Sequence, residues 1–477
     1  MNLKAKQQKS NQDLKGKKIH FIGIGGIGMS ALARYFNLHG SLISGSDRED
    51  SSQITKLKSE GLNNIWITHS KKLIESTNPE VVVFSTAITN DNEELVWATS
   101  NKKLVLHRAE LLEIACHSKK LISVSGTHGK TTTTALIYEV FEKVGLNPSC
   151  ILGGEIISKN SNVIFGTGNY FIIEADESDK SFLKGNPEIT VITNIGIDHL
   201  ENYNNRFEEI KQAFISFAKT GIQNKGLVVC IEDLNTREMI LNNFDHNNQS
   251  LITYGFYNGD LKPKVGGNFN ENTKLLDIYL NSTLVDSIKL PFLGKHNILN
   301  TLAVYGVGIL AGINPTKIKW GIENFRGVKR RFELVGKIDG IIFIDDYAHH
   351  PTEISATLQA ARGLNPERLV VVLQPHQPLR LKDLWNDFIK TLKNIDDLVF
   401  VTDIYIARGH PIEGITSKRL VEEVGKKNIE YLPGNIDEVK DCIKNTIKAG
   451  DLVLTLGAGD ITLLSKKLMD KSLCNKS

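Results

Sequence analysis

Apolar residues in this chain come in short unbroken runs, separated by longer segments in which they recur at helical spacing. That alternation is the pattern of strands buried on both faces between helices. Runs at 19–22, 81–84, 170–173, 189–192, 341–344, 369–373, 398–401 and 452–455 each read as a parallel-sheet strand, and most end in a polar cluster. The stretch 120–134 shows the pattern best. Leu121, Ile122 and Val124 run into Gly126; after Gly129-Lys130-Thr131 the helical spacing of Leu136, Val140, Phe141 and Val144 begins, with Gly145 as the stop signal. Residues 220–290 break the pattern with Asn-rich, alternating segments around 251–254 and 276–280, which predict an antiparallel excursion. A long apolar helix through Leu302, Val304 and Leu310 follows Gly294-Lys295-His296-Asn297.

These elements predict an α/β protein of three domains, at 17–118, 119–328 and 329–477, behind a solvated, flexible tail at 1–16. A length of 477 residues agrees with that number. Lys and Arg number 57 against 54 Asp and Glu, so the charge balance gives no reason to expect nucleic acid. Five scattered cysteines without a C-x-x-C pair speak against a disulfide framework or a zinc site and for a reducing cytoplasm. No apolar stretch is long enough for membrane insertion.

Candidate chemistry sits at the strand ends. The strand–glycine–helix stretch at Gly126, Thr127, His128, Gly129, Lys130, Thr131 and Thr132 predicts a phosphate cradle. Backbone N–H groups and a helix N-terminus converge there, a lysine reaches the outer phosphates, and a threonine hydroxyl is left for Mg²⁺. The strict P-loop pattern asks for glycine at position 124, where this chain has Val124. Glu174, in Glu174-Ala175-Asp176-Glu177-Ser178-Asp179, adds a hard oxygen ligand, and His199, in Asn194-Ile195-Gly196-Ile197-Asp198-His199, a softer one. The first strand runs into Gly23-Ile24-Gly25-Gly26-Ile27-Gly28-Met29, with Asp47 nineteen residues after Gly28. By default that fingerprint reads as dinucleotide binding, hence an NAD(P)-dependent oxidoreductase. The same glycines serve any pyrophosphate that approaches a helix N-terminus. Ser85, His107 and Arg108 close later strands of this layer, and Arg331, His349, His376 and Arg380 lie at the mouth of the third. His350 before Pro351 reads equally as a helix N-terminal residue.

Together with Gly294-Lys295-His296-Asn297, Arg330-Arg331-Phe332 and Asp345-Asp346-Tyr347-Ala348-His349-His350-Pro351, these motifs resemble the Mur ligase family from about residue 17 to 470. The resemblance implies a Rossmann-like N-terminal domain, a P-loop ATPase-like central domain and a Rossmann-like C-terminal domain that binds the amino acid and caps ATP. It implies ATP-dependent joining of L-alanine to the lactyl carboxylate of UDP-N-acetylmuramate through an acyl phosphate, in peptidoglycan precursor synthesis.

The resemblance also assigns roles. Gly23, Gly25, Gly26, Gly28 and Met29, with Asp47, Ser85, His107 and Arg108, would hold the UDP-sugar. Lys130, Glu174, His199, Arg331 and His349 would be catalytic, with Mg²⁺ on Thr131, Glu174 and His199. Asn297 and Asp346 would meet adenine and ribose, Arg331 the phosphates, and His349, His376 and Arg380 the amino acid. The related ligase that recycles a murein peptide onto the same UDP-sugar is the alternative within the family. Two positions depart from the family pattern: Gln377 stands where an arginine is usual, and Gly409 where an acidic residue is common.

Overall fold

The computed structural model describes residues 14–178, 180–183, 185–198, 200–292, 294–406 and 410–470. His199, Asp179, Gly409 and the first thirteen residues of the expected tail lie outside the described residues. The chain divides into two compact units, one of residues 1–290 and 299–325, the other of residues 291–298 and 326–477.

The first unit holds two sheets. The N-terminal one comprises β1 (Lys18–Ile22), β2 (Leu42–Ser46), β3 (Ile65–Trp66), β4 (Val81–Phe84) and β5 (Leu104–His107), all parallel in the order β3-β2-β1-β4-β5. Helix α1 (Ile27–His39) follows β1. The chain order reverses between β1 and β4, and ligands of open α/β sheets sit at such a point, outside the strand C-termini.

The second sheet has ten strands: β6 (Lys120–Ser125), β7 (Ser149–Ile156), β8 (Ser161–Ile164), β9 (Tyr170–Glu174), β10 (Ile189–Ile192), β11 (Gly226–Cys230), β12 (Leu251–Phe256), β13 (Val265–Asn270), β14 (Leu275–Leu280) and β15 (Thr283–Lys289). In it β6 lies between β10 and β9, so the strand before the phosphate loop is flanked by the strand that ends in Glu174 and by the one that runs into Thr193. Every residue of β10 is buried, as the apolar run requires. Each such Val or Ile contributes roughly 1.5–3 kcal/mol by leaving water.

Two expectations change here. The segment 251–254 is a parallel strand, paired in parallel with both β11 and β13, helix Leu234–Asn243 supplying the crossover from β11; only β13, β14 and β15 form the antiparallel excursion. Leu14, placed by sequence in a solvated tail, is 2% exposed, and its carbonyl accepts the Ser41 hydroxyl at 2.8 Å. It belongs to a core shared by both sheets, in which the Tyr35 ring of α1 lies 5.1 Å from the Phe171 ring of β9.

The second unit is built on β16 (Glu333–Ile338), β17 (Ile341–Asp346), β18 (Arg368–Leu373), β19 (Leu398–Val401), β20 (Ile429–Tyr431) and β21 (Asp451–Leu456), in the order β16-β17-β21-β18-β19-β20. All pairs are parallel except the edge pair β16–β17. Asp346, the segment from Gln374 to His376, and Gly457 follow or close β17, β18 and β21 at one end of the sheet.

Candidate active site

The phosphate loop requires its glycines. Gly126 has φ +136°, and a Cβ there would lie 2.1 Å from Thr193 Oγ1. Gly129, at φ +83°, precedes helix α2 (Lys130–Lys143), and its Cβ would meet Asn300 Oδ1 at 2.8 Å. Val124 is still inside β6, paired with Glu174 and Val191, so the loop begins two residues later and position 124 needs a strand residue. The segment after β10 grips the loop. Asn194 accepts the His128 N–H at 2.8 Å through Oδ1 and donates through Nδ2 to the His128 carbonyl at 2.9 Å. The Thr193 hydroxyl donates to that same carbonyl at 2.6 Å, and Thr127 Oγ1 accepts the Gly196 N–H at 2.7 Å.

Lys130 Nζ donates to the Gly126 carbonyl at 2.5 Å and to Glu177 Oε1 at 2.8 Å, where the two side chains are 16% and 7% exposed. Burial works against the ammonium charge, but Glu177, Glu174 and Asp176 outweigh it and hold its pKa above the ordinary lysine value. Burial pushes the Glu177 carboxyl up despite Lys130. Beside them the Thr131 hydroxyl donates to Glu174 Oε1 at 2.9 Å, and the Gly153 N–H donates to Glu174 Oε2 at 2.6 Å. Thr132 is half-buried on the same helix turn.

This oxygen pair fits a hard cation. Among the described residues no group of three or more His, Cys, Asp or Glu side chains gathers around one point. Mg²⁺ suits such a sparse set, because it keeps waters and takes one or two protein oxygens together with substrate phosphates.

In the first layer Gly23 has φ +80°, and the Gly23 and Ile24 N–H groups donate to the Ser46 carbonyl at 2.8 and 3.0 Å. Asp47 braces this loop. Its Oδ2 accepts the Gly25 N–H at 2.8 Å and its Oδ1 the Arg48 N–H at 2.8 Å, so both carboxylate oxygens hold backbone. A Cβ on Gly28 would lie 2.8 Å from Arg108 Nη1, which brings that guanidinium to the start of α1. Met29 is buried, Gly26 opens α1 as its cap, and Ser85 follows β4 half-buried. His107 caps helix Arg108–Cys116, its ring accepting the Ala109 N–H at 3.2 Å. A cavity of about 450 Å³ opens in this layer, lined by Arg48, Thr68, His69, Asp91 and Asn92 among others.

In the second unit Arg330 and Phe332 take positive φ of 60° and 49°, which sets Arg331 over the Tyr347 ring at 5.1 Å. Asp346 accepts the Phe332 N–H at 2.6 Å and the Ala348 N–H at 2.8 Å, and burial raises its pKa to about 6. His349 and His376 come together, ring centroids 5.7 Å apart, and His376 stacks on Tyr405. Arg380 Nη1 lies 3.1 Å from His376 Nδ1. A guanidinium can only donate, so that nitrogen carries no proton. Burial, with His349, Arg380 and Arg330, pushes the His376 pKa down to about 4.

His349 Nδ1 lies 2.9 Å from the Tyr347 carbonyl, which can only accept, so Nδ1 holds the proton and Nε2 keeps a lone pair. Burial lowers its pKa, with Glu353 opposing. His350 caps helix Pro351–Arg362 in a capping box with Glu353, the helix N-terminal reading. Asn297 lies half-buried in the first turn of helix Lys295–Ala311. Gln377, the first departure, brings no guanidinium and stands at φ +65° in the position before helix Pro378–Asp383, with no capping hydrogen bond from its side chain.

Sequence reasoning gave no role to Glu177, Asn194 or Asn300. The first two stand inside conspicuous motifs. Asn300, whose Oδ1 accepts the Thr133 hydroxyl at 3.1 Å, carries no mark in sequence.

Residues 18–120 match the domain family described as Mur ligase family, catalytic domain; residues 124–308 match the Mur ligase middle domain; and residues 330–459 match the Mur ligase, glutamate ligase domain. A UDP-N-acetylmuramate–L-alanine ligase of Carboxydothermus hydrogenoformans is 41% identical over 95% of this chain and 96% of its own. Among solved structures, a UDP-N-acetylmuramate-alanine ligase from Thermotoga maritima is 28% identical, with a TM-score of 0.78 over 96% of this chain and all of its own. A murein peptide ligase from Psychrobacter arcticus shares the fold, at 20% identity and a TM-score of 0.67 over 97% of this chain and all of its own. The three matched segments, in order and over nearly the whole length, place the chain in the Mur ligase family of ATP-dependent amide-forming ligases.

Proposed function

We propose that this protein joins L-alanine to the lactyl carboxylate of UDP-N-acetylmuramate, converting ATP to ADP and phosphate, as a cytoplasmic step of peptidoglycan precursor synthesis. The observation that carries the chemistry is the loop pinned by Asn194, with charged Lys130 and the Thr131–Glu174 oxygen pair at its mouth. The alanine-adding relatives, matched nearly end to end, support the choice of substrates. Among the described residues no helix is long and apolar enough to cross a membrane.

The lactyl carboxylate attacks the γ-phosphorus, ADP leaves, and the amine of alanine displaces phosphate from the acyl phosphate. Two anions must approach each other in the first step, so the site needs fixed positive charge. Lys130 supplies one charge, backed by the N–H groups of the loop. Thr131 and Glu174 would hold Mg²⁺, with His199 a further proposed ligand, and the bound ion would neutralise phosphate charge.

The glycines from Gly23 to Gly28, Met29, Ser85 and Arg108 are assigned to the UDP-sugar, with Asp47 and His107 shaping the backbone around it. Arg331, Asp346 and Asn297 are assigned to the nucleotide. Arg380 is assigned to the alanine carboxylate, and His349, through the lone pair on Nε2, to the proton leaving the ammonium.

Release of ADP tests the reading. It should require UDP-N-acetylmuramate and L-alanine together. Release that instead needs a murein tripeptide would assign the recycling reaction, and oxidation of NADH with no ADP formed would move the chain's activity to another class.

A further inference from the structure

The strand β7 leaves its ladders just where it reaches the active site. Its pairing with β9 ends at Ile151 opposite Ile173, and its register with β8 shifts between Ile151 and Ile156. Such irregularities free backbone groups and re-aim them. The peptide linking Leu152 to Gly153 is freed in this way, and side chains take both of its polar groups. The Gly153 N–H donates to Glu174 Oε2 at 2.6 Å; the Leu152 carbonyl accepts Asn162 Nδ2 at 3.3 Å. Asn162 is buried, and its Oδ1 accepts Arg34 Nη1. Arg34, also buried, stands on α1, the helix that starts at the acceptor's glycine loop, and is fixed by a fork onto Glu60 at 2.6 and 2.7 Å.

We propose that Asn162 is a positioning residue for Glu174: it holds the Leu152–Gly153 peptide so that its N–H fixes one carboxylate oxygen while Thr131 fixes the other, with Arg34 as its anchor on the acceptor side. Every donor along the row Arg34, Asn162, Gly153 points the same way, toward the Glu174 carboxylate, so each bond polarises the next. Without Asn162 the peptide is free to rotate, and Glu174 loses a fixed orientation rather than its charge. The asparagine thus serves the peptide whose N–H meets this carboxylate. The inference rests on Glu174 being a cation ligand.

The test uses the full chain with Mn²⁺ and a non-hydrolysable ATP analogue, free Mn²⁺ being counted by electron paramagnetic resonance. Asn162→Asp keeps the acceptor for Arg34 and loses the donor to Leu152; Asn162→Ser is smaller and loses the reach, and serves if the first variant does not fold. Each should weaken Mn²⁺ binding about tenfold, the lower end of what such supporting partners contribute. Arg34→Lys should follow in the same direction with a smaller loss, and Glu174→Gln should lose the most. Thermal midpoints are read on the same samples. A lowered midpoint with unchanged Mn²⁺ affinity in the Asn162 variants makes the residue merely structural and overturns the inference. Unchanged affinity in Glu174→Gln overturns both the inference and the ligand assignment beneath it. Loss in Glu174→Gln alone overturns the inference and leaves the assignment standing.

Discussion

Replacing Lys130 by alanine should act on the fold and on the chemistry, and the two effects can be separated. Lys130 and Glu177 form a pair 2.8 Å apart with little exposure on either side. Removing one partner of a buried pair strands the other charge, at a cost of about 3–5 kcal/mol. Glu177 already has a pKa raised by burial, and without Lys130 it rises further. A carboxyl whose folded pKa exceeds its unfolded one binds more protons in the folded state, so stability falls as pH rises through the interval between them. The deficit of Lys130→Ala against wild type should therefore be largest at pH 7.5 and shrink toward pH 5.5, read as urea midpoints at the two pH values. Adding Glu177→Gln should recover most of the stability at pH 7.5, because no charge is then left buried. Turnover should fall by about 10²–10³ or more in both variants, since the group aimed at the phosphates is gone in each. Single-variant stability equal to wild type at both pH values would refute the buried pair. Turnover restored in the double variant would refute the assigned role of Lys130.

Gly126→Ala combines a φ of +136° with a Cβ 2.1 Å from Thr193 Oγ1; it should lower the thermal midpoint and ATP affinity together, and a folded variant with wild-type affinity would contradict the tight loop. Asp346→Asn sets an amide N–H₂ against either the Phe332 or the Ala348 N–H, and calorimetry should show a loss of about 1–3 kcal/mol. His376 and His349 have depressed pKa values, so the folded state binds fewer protons than the unfolded one below the ordinary value of about 6.5. Stability should accordingly fall as pH drops from 7 toward 4, and His376→Gln should flatten that slope in pH-dependent denaturant melts. By the same shift, the acidic limb of kcat/KM should lie below the ordinary histidine value, and a limb at or above it would count against neutral His349 as proton acceptor.

The strand runs, the two glycine loops and the three α/β layers were legible because each is a local pattern: unbroken apolar runs mark buried parallel strands, and a glycine between strand and helix marks a close backbone approach. What the apolar pattern does not carry is the partner of each buried face. Leu14, Tyr35 and Phe171 look alike in sequence whether they serve one core or two, and here they serve one. The direction of a strand is equally silent. Residues 251–254 alternate as an antiparallel strand would, and only the crossover helix before them makes the pairing parallel. Asp47 and His107 show the same limit at a site: the residue types suit ligand contact, and sequence does not announce the bonds that hold each in place, the Gly25 N–H on Asp47 and the helix cap made by His107.

The loop at Gly126 shows why a strict motif can fail while the physics holds. A phosphate cradle needs several N–H groups fixed in one direction before the anion arrives, because flexible donors lose that advantage in ordering entropy. In this chain the rigidity comes from outside the loop. Asn194 takes the N–H and the carbonyl of His128, Thr193 takes the same carbonyl, and Asn300 Oδ1 stands 2.8 Å from where a Cβ on Gly129 would lie. With the backbone held from the neighbouring strand, position 124 is released from the loop and joins the buried strand, where valine is worth more than glycine. Changing Val124 to glycine to match the strict pattern should thus weaken β6 and gain nothing in ATP affinity. Releasing the clamp with Asn194→Ala should raise the KM for ATP while leaving the KM for L-alanine unchanged, and equal effects on both would mean that the clamp holds the fold rather than the cradle.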